Sequence, residues 1–65
     1  MKIRFNGEQV LIESQQLADF LLSRVDPNQA FAVALNGDFV AKQNYATITL
    51  SEGDELDVLI PMQGG

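Results

Sequence analysis

A chain of 65 residues holds one domain and has no room for a second. It contains no Cys and no His, which excludes disulfides, thiolate or imidazole metal sites, haem ligation and His or Cys nucleophiles, and leaves stability to apolar packing. Nine acidic residues against Lys2, Arg4, Arg24 and Lys42 give a net charge of -5, which repels a phosphate backbone, argues against nucleic acid as a partner, and suits either a basic protein partner or plain solubility.

The first predicted element is a half-buried strand over Met1 to Phe5, where Met1, Ile3 and Phe5 alternate with Lys2 and Arg4. Asn6-Gly7 follows at once. Both residues tolerate φ above zero, so the dipeptide predicts a type I′ hairpin turn into a second strand, Glu8 to Glu13, with Val10 and Ile12 inward. The period then changes: Leu17, Phe20, Leu21 and Val25 form one stripe of a helix of roughly three turns, with Asp19, Ser23 and Arg24 on its other face. Ser14 or Gln16 opens it, Ser being the better cap chemically, and Asp26-Pro27 closes it because the residue before Pro is pushed out of the α region.

Ala30 to Leu35 is apolar throughout and reads as a central strand, with Phe31, Val33 and Leu35 on one side and Ala30, Ala32 and Ala34 on the other. A second turn dipeptide, Asn36-Gly37, leads into a short return strand, Phe39-Val40-Ala41. Lys42 to Tyr45 is polar and expected to be irregular, and Thr47 to Leu50 is either a short strand or an extended loop. Ser51-Glu52-Gly53-Asp54 is a turn by its chemistry and delivers a last strand, Glu55 to Ile60, with Leu56, Val58 and Ile60 inward. The expected class is α+β, a mixed sheet of four to five strands with one helix packed across it.

Pro61 cannot donate to a sheet ladder, so a folded body is expected over residues 1–60 and a flexible tail over 61–65. Extended, the tail reaches roughly 16 to 18 Å, deep enough to enter another protein's pocket. Met62, Gln63 and Gly64 would be the inserting residues, and the narrow Gly64 would let the carboxylate of Gly65 approach a partner's active site closely. Leu59 is expected to point outward with Leu11, Ala32 and Ala34, and with Phe39 nearby, forming a docking patch. Glu52, Asp54, Glu55 and Asp57 read as a solvated turn, since alternation splits them between faces and they lack calcium-loop spacing. No metal site, bound cofactor or intrinsic catalysis is expected. No apolar stretch approaches membrane-spanning length, and the opening residues lack a signal-peptide core, which makes the cytoplasm the expected compartment.

The opening Ile3-Arg-Phe-Asn-Gly7, the segment Val33-Ala-Leu-Asn-Gly37 with Phe39-Val40, the Leu50-Ser-Glu-Gly-Asp54 turn and the closing Pro61-Met-Gln-Gly-Gly65 together resemble the ThiS family, the small sulfur carriers of thiamine biosynthesis. The resemblance covers essentially the whole chain. Two departures from the family pattern are Ala41-Lys42, where a Pro-Arg pair is frequent, and Tyr45, where Trp is frequent.

The resemblance implies the ubiquitin-like β-grasp fold and a non-catalytic carrier that acts as co-substrate. It implies that a partner adenylyltransferase of the ubiquitin-activating type (ThiF-like) uses ATP and Mg²⁺ to couple Gly65 to AMP. A sulfur donor such as a persulfide enzyme then converts Gly65 to a thiocarboxylate, and a thiazole synthase (ThiG-like) receives the sulfur. Alternatives are the small subunit of molybdopterin synthase, another ubiquitin-like sulfur carrier, a protein modifier whose Gly65 ends on a lysine, and a plain binding module with an idle tail.

Overall fold

The computed structural model describes residues 1–26 and 28–61 of the chain. Strand β1 (Lys2–Phe5) and strand β2 (Glu8–Leu11) form an antiparallel hairpin in which Ile3 faces Val10 and Phe5 faces Glu8. The turn between them has φ of 51° at Asn6 and 84° at Gly7, the pair of positive angles that a type I′ turn requires. Helix α1 (Leu17–Arg24) follows, then β3 (Ala32–Leu35), β4 (Asp38–Val40), a 3₁₀ segment over Lys42–Thr47, and β5 (Glu55–Leu59). Asn36 and Gly37 repeat the hairpin geometry at 52° and 86°.

The sheet order is β2-β1-β5-β3-β4, with β1 and β5 parallel and every other pair antiparallel. The five strands and single helix make the mixed α+β sheet expected from the residues. One assignment changes: the middle of the sheet belongs to β5, and β3 lies beside it. A run that is apolar throughout identifies an interior strand but carries no information on which interior position it takes.

Helix α1 packs Leu17, Phe20 and Leu21 against Ile3, Val33, Leu56 and Val58, with Phe20 edge-on to Phe5 at 5.1 Å between ring centroids. Burying a side chain of this size contributes about 1.5–3 kcal/mol. The helix has 8 residues, shorter than expected, because Val25 already leaves the helical region at φ -127° and ψ 137°. Gln16 is the residue that precedes it, and Ser14 works one step earlier: its Oγ accepts from the Gln16 N–H at 3.2 Å and donates to Asp19 at 3.0 Å. The first helical N–H, that of Leu17, bonds the carbonyl of Ile48 at 3.2 Å, and the Leu50 N–H bonds the Gln15 carbonyl at 2.6 Å. A backbone bridge thus does the work of a side-chain cap. It also resolves the Thr47 to Leu50 stretch: Thr47 ends the 3₁₀ segment, and Ile48 to Leu50 is an extended loop with an isolated bridge at Thr49, which buries Leu50.

Two further expectations are corrected. Lys42–Thr47 is ordered as a 3₁₀ segment, held by the Asn44 N–H on the Ala41 carbonyl at 2.9 Å and by Tyr45 stacked on Phe31 at 6.0 Å. Ile60 lies beyond the last strand and is 51% exposed, so the inward phase stops at Val58.

The hairpin geometry makes a prediction. A Cβ added at Gly37 would meet nothing within 4 Å, so Gly37→Ala isolates the cost of its positive φ. That strain is about 1–2 kcal/mol, and each kcal/mol lowers the thermal midpoint of so small a domain by about 4–8 °C. A melting curve at least about 4 °C below that of the parent is expected.

Candidate functional site

Strand β5 brings the chain out of the middle of the sheet, and its last paired residue, Leu59, lies opposite Ala32. One step back, Ala34 lies between Asp57 on β5 and Phe39 on β4. These residues share the face turned away from α1. The two alanines are low and half-buried, so Leu59 at 69% and Phe39 at 74% exposure stand above them. Glu55 and Asp57 share this face of β5 and Arg4 of β1 lies beside Glu55, while Asp38 pairs with Leu35 in the opposite phase, so the apolar residues adjoin a mixed charged edge. A partner surface carrying its own apolar side chains would complement it.

The structure brings four of the expected surface residues together, namely Leu59, Ala32, Ala34 and Phe39. Leu11 stands apart. It is exposed, but it pairs with Lys2 at the opposite end of the sheet, whereas Glu55 is level with Arg4. Counting along the strands at about 3.3 Å per residue puts Leu11 roughly 20 Å below the level of Leu59. Ile60 at 51% exposure adjoins the patch instead. Met62, Gln63, Gly64 and Gly65 lie outside the described residues, as does Pro27.

Residue reasoning missed the pair that holds β5. In a parallel ladder the carbonyl of Asn6 would receive the N–H of Val58, but its positive φ belongs to the hairpin turn. The side chain substitutes: Asn6 Oδ1 accepts from the Val58 N–H at 2.7 Å, while the Asn6 N–H donates to the Leu56 carbonyl at 2.9 Å. Asn36 does the same at the other end, its Oδ1 accepting from the Glu55 N–H at 2.9 Å and its Nδ2 donating to Asp54 at 3.1 Å. Leaving a buried N–H unpaired costs about 1–3 kcal/mol. The available signal was that both turns use Asn rather than Asp or Gly at the first central position.

Among the described residues no group of three or more His, Cys, Asp or Glu is arranged to hold a metal, and no polar or charged residue is buried. Burial against Phe31 pushes the Tyr45 phenol above its ordinary pKa, so it stays neutral at physiological pH. An open groove of about 270 Å³, lined by Leu11, Ser14, Asp19 and Phe20 among others, runs between β2 and the helix, away from the end of β5. No helix among the described residues is long and apolar enough to cross a membrane.

Comparison with known proteins gives a consistent set of likenesses. The model of the ThiS family matches residues 3–65. The crystal structure of the thiamine biosynthesis protein ThiS from Geobacter metallireducens is similar at a TM-score of 0.83 and 26% identity, with 100% of both chains covered. The solution structure of a thiamine biosynthesis protein from the same organism is similar at a TM-score of 0.80 and 26% identity, covering 100% of this chain and 88% of that one. A comparison with curated proteins finds no match.

Proposed function

This chain belongs to the ThiS family, and on that premise we propose that it is a sulfur carrier of thiamine biosynthesis whose reacting atom is the carboxyl carbon of Gly65. The supporting observation is that the family match runs through Gly64 and Gly65, a few residues after a strand that leaves the sheet beside the apolar face. A carboxylate is a poor electrophile and must be activated. In the proposed cycle a partner adenylyltransferase (ThiF-like) binds ATP and Mg²⁺, and a carboxylate oxygen of Gly65 attacks the α-phosphorus, expelling pyrophosphate. The acyl adenylate then reacts with a sulfur nucleophile at its carbonyl carbon, and AMP leaves with the bonding electron pair. Sulfide gives the thiocarboxylate directly; a persulfide gives an acyl disulfide that a thiol reduces. A thiazole synthase (ThiG-like) then takes up the sulfur.

The carrier's own contribution is shape and reach. Donors that stabilise the oxyanion must surround the terminal carbonyl, and a Cβ at position 64 or 65 would crowd both them and the incoming sulfur. The body supplies a handle, with Leu59, Ala32, Ala34 and Phe39 as the docking face at the end of the strand that precedes the tail. Leu11 has no part in that face.

Intact-mass measurement of the chain purified with its co-expressed partners tests the proposal. A gain equal to one oxygen-to-sulfur exchange, located at Gly65, is expected; adducts linked to lysine would mark a protein modifier instead. A separate test addresses the face: Ala34→Asp places a carboxylate in the middle of the patch without touching the core. Its KM for adenylation is expected to rise at least about tenfold, equivalent to about 1.4 kcal/mol of lost docking. An unchanged KM would remove the patch from the proposal.

A further inference from the structure

Pairing between β1 and β5 is confined to Arg4 with Glu55 and Phe5 with Leu56. Beyond Leu56, the β1 side of the strand is held by the Asn6 carboxamide, through the 2.7 Å bond from the Val58 N–H. The other side has the β3 ladder, which ends at Ala32 opposite Leu59. The final stretch of β5 therefore has a full ladder on one side and one side chain on the other, immediately before Pro61 and the tail.

We infer that Asn6 is a positioning residue for the tail: its carboxamide fixes the direction in which β5 leaves the sheet and thereby where Gly65 arrives in the activating enzyme. This inference rests on the carrier reading. Gly65 is four positions beyond Pro61, so a shift of the strand end moves the point from which that short segment must reach the activating enzyme. Misplacement of a reacting group by about 1 Å can cost up to about 100-fold in rate.

Asn36 provides an internal control. It sits at the equivalent position of the other hairpin and makes the equivalent bond to β5, but at Glu55, the end remote from the tail. Asn6→Gly and Asn36→Gly each keep a residue that accepts positive φ and each remove one side-chain bond to the same strand. Asn36→Gly also removes the Nδ2 bond to Asp54, so the control loses at least as many side-chain bonds as Asn6→Gly, and the two differ in which end of β5 is released. Asn6→Asp retains an acceptor oxygen for the Val58 N–H and serves as the conservative rescue.

The experiment measures adenylation of each variant by the cognate adenylyltransferase, separating kcat from KM, together with thermal midpoints and amide hydrogen exchange at Val58. The β3 ladder still holds Leu59 against Ala32 in all of them, so KM is expected to stay within about twofold of the parent, and kcat is expected to fall about tenfold in Asn6→Gly alone. Exchange at Val58 should accelerate in Asn6→Gly but not in Asn36→Gly, and Asn6→Asp should recover both kcat and protection. Equal kcat in Asn6→Gly and Asn36→Gly, whether both high or both low, overturns the inference and leaves the carrier reading standing. A parent chain that accepts no AMP from its adenylyltransferase overturns both.

Discussion

A chain lacking Gly64 and Gly65 is expected to melt within a degree or two of the full chain and to accept no AMP at all. The first half follows because the last core member among the described residues is Val58, Ile60 is already half exposed, and the two residues removed are glycines with no side chain to bury. The second half follows from the chemistry, because the shortened chain ends on Gln63, whose carboxylate cannot reach as far and carries a side chain into the space around the carbonyl. At about 3.3 to 3.6 Å per residue, two missing residues leave the reacting carbon roughly 7 Å short. A misplacement of that size is well beyond the approximately 1 Å that already costs about 100-fold. Release of pyrophosphate with the cognate adenylyltransferase, and growth without thiamine of cells that depend on this chain, are the two measurements. A trimmed chain active in both would show that the carrier reading is wrong, since an idle tail belongs to a plain binding module.

The other large effect lies in the body. Leu56 has no exposure and sits at the centre of the sheet, opposite Phe5 on one side and Leu35 on the other. Truncation to Ala at such a site costs about 2–5 kcal/mol in lost transfer free energy and residual cavity. A domain of this length has a total stability of about 3–10 kcal/mol at 0.05–0.15 kcal/mol per residue. Leu56→Ala therefore removes a large part of what is available, and a midpoint depressed by at least about 10 °C is expected. Leu59→Ala, three positions along the same strand, is the comparison. Its side chain is 69% exposed, so its stability should stay within about 0.5 kcal/mol of the parent while adenylation weakens. Urea or thermal melts of the two variants read the contrast directly.

The elements themselves were legible because each carries a local signature. Asn6-Gly7 and Asn36-Gly37 announce tight hairpins, and both dipeptides take the positive φ angles that make them recognisable. The stripe Leu17, Phe20, Leu21 and Val25 announces the helix, and all four are buried. What was not legible depends on neighbours remote in the chain. Strand order cannot be read from an apolar run: the run over Ala30 to Leu35 marks an interior strand, but the middle place belongs to β5. The same gap joined Leu11 to Leu59: a shared face is visible in residue spacing, but distance along that face requires the register of β1 against both β2 and β5. The Lys42–Thr47 turn is polar and lacks an apolar period, and its order comes from Tyr45 stacking on a ring in a different segment. The Asn6 and Asn36 side chains look like ordinary turn residues until the strand they grip is in place.

Placing β5 between β1 and β3 has a kinetic consequence. Each hairpin closes over a short span and can form early, yet the β1–β2 and β3–β4 pairs do not touch one another and share no ladder without β5. Joining them requires contacts as remote in sequence as the one between Asn6 and Val58, 52 positions apart, a separation that delays assembly. Leu59 meets Ala32 only when that final insertion is complete. In the proposed cycle an activating enzyme that grips this face would thereby inspect the history of its substrate: molecules still on their way to the native state offer Ala32, Ala34 and Phe39 on a loose hairpin without Leu59, and would be poor consumers of ATP.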